Sequence, residues 1–191
     1  MEEQKTGLAK YFWQVTYAHT IAYFIAGVFA VAFMSYDALW EREAFGSFMR
    51  PINDPLIALG PALNIFRGAL YALIFLPLRK PLFEEKYGLL KLAVLLVGLT
   101  YLATFGPGIG SFEGFIYTMI PIRYQIWGWP EMLLWVASFV GILHLSIKFS
   151  RKKIVTILPI IIVLLIVFMG IMGFISLAAG DAVPFVAAFP S

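Results

Sequence analysis

Arg67 is the residue whose position in this sequence most strongly suggests chemistry. It lies about 11 residues into the apolar stretch 56–78, and helical spacing places Asn64 and Tyr71 on the same face. A charge near the middle of a membrane costs several kcal/mol on insertion scales, so such a residue is normally paired or faces water. The pattern predicts either a ligand site around Arg67 or an ion pair that holds the helices together.

The acidic partner of Arg67 must come from a loop, because no carboxylate lies in the middle of an apolar stretch. The candidates are Asp37, Glu113 and Glu131. Glu113 belongs to the stretch 112–122, which is too short to cross as a helix but can dip back into a bilayer where protein or water satisfies its backbone. A helix lying flat on the membrane is the alternative. The predicted ligand-binding residues are Asn64, Arg67, Tyr71, Glu113, Tyr117 and Glu131.

The two histidines permit a second kind of chemistry. His19 and His144 fall at broadly similar depths in two different apolar stretches, and two facing imidazoles can bind one haem. The alternative is that each is a buried, hydrogen-bonded residue. No metal site is predicted, because neither histidine has a carboxylate near it in sequence and two ligands do not close a zinc site. Haem is therefore the one cofactor for which the sequence offers ligands.

Missing motifs narrow the choice of function. The chain has no cysteine, which excludes disulfides, iron–sulfur clusters and thiol chemistry. The glycine-rich GPGIGS at 106–111 matches neither common nucleotide-binding pattern, and neither HExxH nor GxSxG occurs. Glu113 and Glu131 are the candidate acid and base of a membrane-embedded enzyme. The sequence does not decide whether the protein is an enzyme.

The composition predicts the elements that position these residues. With 61% hydrophobic and 13% charged residues and a mean hydropathy of +0.88, the chain cannot cover a soluble globule. A crossing helix needs about 20 apolar residues, so we predict one domain, 1–191. Its fold is an all-α integral membrane bundle of about five transmembrane helices with two longer non-cytoplasmic loops. The predicted helices are 12–36, 56–78, 88–105, 131–149 and 154–177, with an interfacial helix within 37–55.

Basic residues separate by side in this five-helix topology. One side holds only Arg42, Arg50 and Arg123. The other holds Lys5, Lys10, Arg79, Lys80, Lys86, Lys91, Lys148, Arg151, Lys152 and Lys153. The positive-inside rule then predicts a cell-membrane protein with a cytoplasmic N-terminus and an external C-terminus. No basic patch is interleaved with aromatic residues, so no nucleic-acid partner is predicted.

Binding is the function that these residues favour. We predict a small multi-pass membrane protein that takes a lipid-phase or small polar ligand, or a partner subunit, through an outward-facing polar pocket around Arg67. Its partners would be the lipid bilayer and either another membrane subunit or further copies of the chain. Two alternatives stay open, a membrane-embedded enzyme acting on a lipid-soluble substrate and a small oligomeric transporter.

Overall fold

Helices account for most of the chain in the computed structural model, which describes residues 7–34, 50–51, 53–104 and 106–180. No strand occurs in these ranges, which confirms the predicted all-helical class. The predicted interfacial helix falls mainly on residues 37–49, which lie outside the described ranges. The helices are α1 Leu8–Phe33, α2 Pro55–Phe75, α3 Gly88–Val97, α4 Phe112–Tyr117, α5 Ile122–Trp127, α6 Trp129–Lys148 and α7 Ile154–Ala178.

Four helical stretches are long and apolar enough to cross a membrane. They are Leu8–Phe33, Pro55–Leu78, Ile122–Lys148 and Ile154–Ala178. Such stretches are stable in an apolar layer because a helix satisfies its backbone hydrogen bonds internally. These four overlap predicted helices 1, 2, 4 and 5; the stretch that overlaps predicted helix 4 begins at Ile122, nine residues before the predicted start at 131.

The third predicted segment is shorter than the other four. α3 continues as a π-helical turn, Gly98–Leu102. About 15 residues rising about 1.5 Å each give roughly 22 Å, less than the roughly 30 Å hydrocarbon layer of a bilayer. The π-helical turn ends the regular α-helix at Val97, eight residues before the predicted end at 105.

α1 is the central helix of the bundle. α2 and α6 pack on its two sides, α7 packs mainly on α2, and α3 packs on α6. Every residue from Gln14 to Ala22 is buried. Because neighbours cover this part of α1 on all sides, its amide, hydroxyl and imidazole groups point into protein.

Glycine allows the closest approach between α1 and α2. A Cβ added at Gly68 would lie 2.7 Å from the backbone oxygen of Thr16 and 3.0 Å from its Cα. Small residues serve the same purpose between α2 and α7, where a Cβ on Gly170 would meet Ala62 at 3.0 Å. Small residues at helix interfaces are typical of membrane bundles.

The bundle has two distinct ends. At the basic end, Lys10 Nζ donates to the carbonyl of Ser150 at 3.2 Å and the Arg79 guanidinium lies over the Tyr11 ring. The other end carries residues 106–127 and is called the capped end. There Trp127 Nε1 donates to the carbonyl of Met34 at 3.3 Å. Arg79 therefore lies at the basic end and Trp127 at the capped end. α3 comes between these two residues in the sequence.

Candidate functional site

The polar groups buried in the middle of the bundle gather around His19 on α1. His19 is 0% exposed, and its Nδ1 accepts a hydrogen bond from Trp135 Nε1 at 3.3 Å. The rings of Tyr71, Trp135 and Phe139 pack around the imidazole with centroid distances of 4.8, 5.7 and 5.7 Å. Because Nδ1 is an acceptor, a neutral His19 carries its proton on Nε2.

Two buried polar atoms beside this cluster have no well-aligned hydrogen-bond partner among the residues that the structure describes. They are Nε2 of His19 and Oδ1 of Asn64. Asn64 lies next to His19 and donates its amide to the carbonyl of Gly60 at 2.9 Å. Nε2–H is a donor and Oδ1 an acceptor, and the two side chains lie within hydrogen-bonding reach of each other but are poorly aligned.

Arg67 lies on the outer flank of the same cluster. Its guanidinium carbon is 5.9 Å from the centroid of the Tyr23 ring and 6.0 Å from that of Tyr71, within the range of cation–π attraction. Tyr71 thus lies between the exposed cation and the buried His19. Asn64, Arg67 and Tyr71 were predicted to share one face of a helix. All three lie on α2 near His19.

No carboxylate pairs with Arg67 in the part of the chain that the structure describes. The ion pairs there join Arg50 to Asp54, Arg79 to Glu84, and Lys91 to Glu85. Arg67 is exposed near the middle of its helical stretch. The exposed residues around it on α2 are all apolar: Leu63, Phe66, Leu70 and Ile74.

The expected ion pair between Arg67 and Glu113 does not form among the described residues. The Glu113 carboxylate instead accepts a hydrogen bond from the backbone N–H of Gly106 at 2.8 Å. α4, which carries Glu113, packs chiefly on α5, and Tyr117 is 73% exposed. Glu131 lies in the first turn of α6, near Tyr101. These three predicted site residues therefore belong to the capped end, apart from Asn64, Arg67 and Tyr71.

Gln125 organises the cap formed by residues 106–127, and it is not among the residues predicted from sequence. Its Oε1 accepts from the N–H of Gly110 at 2.6 Å, and its Nε2 donates to the carbonyl of Gly114 and to Thr118 Oγ1, both at 2.9 Å. A Cβ on Gly114 would lie 2.0 Å from the carbonyl oxygen of Gly108. The glycines of this segment thus allow tight packing around a buried amide. The signal was an uncharged polar side chain close to the apolar residues Ile122, Ile126 and Trp127.

The two histidines are not brought together. His19 is enclosed between α1, α2 and α6, whereas His144 is exposed on α6. The space around His19 is filled by Tyr71, Trp135 and Phe139, so the described arrangement offers no room for a haem between two imidazoles. Within the described residues, no group of three His, Cys, Asp or Glu side chains is placed to hold a metal ion.

The arrangement therefore offers an exposed cation backed by aromatic rings and by the buried side chains of His19 and Asn64. This set can hold an anion or a hydrogen-bond acceptor at Arg67. No protein-family model, curated protein or solved structure matches this chain.

Proposed function

We propose that the chain is a multi-pass membrane protein with five crossing segments, the third being α3 with the turns that flank it. The path of the chain supports this topology. Arg79 contacts the basic end and Trp127 the capped end, so the chain passes from one end to the other between them, and α3 is the apolar helix available. The concentration of lysine and arginine at the basic end favours a cytoplasmic N-terminus and an external C-terminus.

We propose further that the protein is a membrane-embedded binding protein. Its site is the exposed flank of α2, where Arg67 receives an anionic or acceptor group inside the apolar layer. One observation carries this proposal: Arg67 is exposed near the middle of a membrane-length helix, and no carboxylate of the described residues pairs with it. The site opens sideways to the bilayer, whereas the sequence predicted an outward-facing pocket.

The energetics favour an external group at this position. An arginine at the centre of a membrane helix costs about 2.5–3.5 kcal/mol on insertion scales. Cation–π contacts of the kind made with Tyr23 and Tyr71 contribute about 0.5–2 kcal/mol. They lower the cost without neutralising the charge. An anion at the guanidinium supplies both the missing charge and charge-assisted hydrogen bonds, which are the stronger kind.

The aromatic cluster behind Arg67 supports a preorganised site. Tyr71 packs on His19 with ring centroids 4.8 Å apart while facing Arg67. His19 is in turn held by Trp135 on the opposite helix. The orientation of the ring beneath the guanidinium is therefore set by contacts across three helices, which keeps the cation in place before a ligand arrives.

Native mass spectrometry of the gently solubilised protein tests this proposal. We expect the unmodified protein to carry a bound component, the Arg67→Lys variant to retain part of it, and the Arg67→Gln variant to lose it. Arg123→Gln is a matched control, because Arg123 also lies over a tyrosine ring, at 4.8 Å from Tyr124, but belongs to the cap. An unmodified protein without any bound component, or a component that survives Arg67→Gln, would contradict the proposal.

A further inference from the structure

We propose that the group received by Arg67 is a carboxylate on a transmembrane helix of a different protein, which packs along the exposed side of α2. This inference rests on the proposed function and names the partner of that site. It follows from where carboxylates occur in this sequence, from the depth of the guanidinium and from the shape of the surface around it.

A second copy of the chain has no carboxylate in the middle of an apolar stretch of its sequence. Arg67 lies near the middle of Pro55–Leu78, whereas every acidic residue lies in a terminus, in a connection or near the end of an apolar stretch. The acidic residues are Glu2, Glu3, Asp37, Glu41, Glu43, Asp54, Glu84, Glu85, Glu113, Glu131 and Asp181. Two copies packed side by side therefore leave both arginines without a counterion. The carboxylate must come from another molecule.

The headgroup of a lipid does not meet the guanidinium at this depth. Headgroups begin about 15 Å from the bilayer centre, half of the roughly 30 Å hydrocarbon layer. The guanidinium of Arg67 stays at the level of Tyr23 and Tyr71, because its carbon lies about 6 Å from both ring centroids. A fatty acid presents its carboxylate at the same interface as a lipid headgroup. A carboxylate in the middle of the layer is best supplied by a protein helix.

The surface around Arg67 has the form that a second helix requires. Leu63, Phe66, Leu70 and Ile74 are exposed and recur at spacings of three and four, so they form one ridge along α2. The ridge covers about 11 residues, or roughly 17 Å at 1.5 Å per residue. Exposed apolar residues alone do not distinguish a partner from lipid. The cation at the centre of the ridge does, since lipid chains cannot neutralise it.

Arginine also suits the recognition of a carboxylate. Its planar guanidinium donates two parallel hydrogen bonds to the two oxygens of one carboxylate, which fixes the register as well as the affinity. A single pair in the middle of two otherwise apolar helices selects for a partner with an aspartate or glutamate at the matching depth.

Site-directed crosslinking in the native membrane tests the inference, and the absence of cysteine makes it simple. A single cysteine at Leu63 or Leu70 carries a photoreactive group. Leu164 is the matched control, because it is also an exposed leucine, at 62% against 46% for Leu63 and 56% for Leu70, but lies on α7. We expect a discrete adduct with another membrane protein from positions 63 and 70 and not from 164. The adduct should persist with Arg67→Lys and fall at least about tenfold with Arg67→Gln, which corresponds to about 1.4 kcal/mol.

The partner found in this way must carry an acidic residue inside a transmembrane segment. Replacing that residue by arginine should abolish the adduct, and combining this change with Arg67→Glu should restore it. A partner without such a residue, no rescue by the exchange, or an equal adduct from position 164 overturns the inference.

The failure of this inference can be told from the failure of the proposed function. Adducts only with lipid, or with a second copy of the chain, overturn the partner helix. If native mass spectra then still show a component that depends on Arg67, binding at Arg67 stands with a different ligand. If Arg67→Gln changes neither the adducts nor the bound mass, both proposals fail.

Discussion

The Gly68→Ala substitution tests the contact between α1 and α2 that positions Arg67 over Tyr23. An alanine Cβ at position 68 would lie 2.7 Å from the backbone oxygen of Thr16, and ordinary contact begins at 3.4 Å. The helices must therefore separate locally by about 0.7 Å, because the atom met is backbone and cannot rotate away. Overpacking of this kind costs about 1–3 kcal/mol.

Gly60→Ala on the same helix provides the control, because a Cβ there has no atom within 4 Å. Both substitutions gain up to about 1 kcal/mol of helix propensity. The propensity gain cancels in the comparison, so Gly68→Ala should be about 1–3 kcal/mol less stable than Gly60→Ala. The free energy of unfolding is measured by titrating the protein in mild detergent with sodium dodecyl sulfate and following circular dichroism. Equal stability of the two variants would refute the close approach of α1 and α2.

Three further predictions concern the groups around the site and at the helix ends. Trp135→Phe removes the donor to His19 Nδ1 and should lower the free energy of unfolding by about 1–3 kcal/mol. An unchanged free energy of unfolding would mean that this hydrogen bond does not stabilise the protein. Gln125→Leu removes the three hydrogen bonds that the Gln125 side chain makes in the cap. Amide exchange in 106–120 should therefore accelerate while that of α1 stays slow, and equal protection in both proteins would contradict the role of Gln125. The pKa of Asp54, the N-cap residue of α2, is held below its ordinary value of 3.8, first by the backbone N–H of Leu56 and then by Arg50. The stabilisation by the Asp54 carboxylate is full above pH 3.8 and is lost as the pH falls through the lowered pKa. Asp54→Asn should remove that dependence from a titration of stability against pH.

The long helices could be predicted from sequence because their signal is one of length and hydropathy. Apolar runs of membrane length end where charges or helix breakers begin, and α2, α6 and α7 start within about two residues of the predicted positions. The end of the third helix could not be predicted in this way. Its apolar run continues to 105, but hydropathy does not report the π-helical turn at Gly98–Leu102 that ends the regular helix.

Contacts between segments were predicted less well, because they depend on helix rotation and on loop paths. The shared face of Asn64, Arg67 and Tyr71 follows from spacing within one helix, and all three residues lie in α2. The pairing of Arg67 with Glu113 assumed that the cap turns back into the bundle, but a hydrogen bond from Gly106 holds that carboxylate at the capped end. His19 was considered as a haem ligand, since nothing in the sequence shows that it faces Trp135.

The depth of position 67 in a bilayer tests the account most directly. Single cysteines at Arg67, at Leu164 on α7 and at Tyr87, which is exposed beside the basic end, each carry a nitroxide in reconstituted vesicles. Collisions with oxygen and with a water-soluble nickel complex then report depth. We expect position 67 to be as deep as position 164, with high oxygen and low nickel accessibility, and position 87 to be open to nickel. Nickel accessibility at position 67 equal to that at position 87 would contradict a cation within the apolar layer.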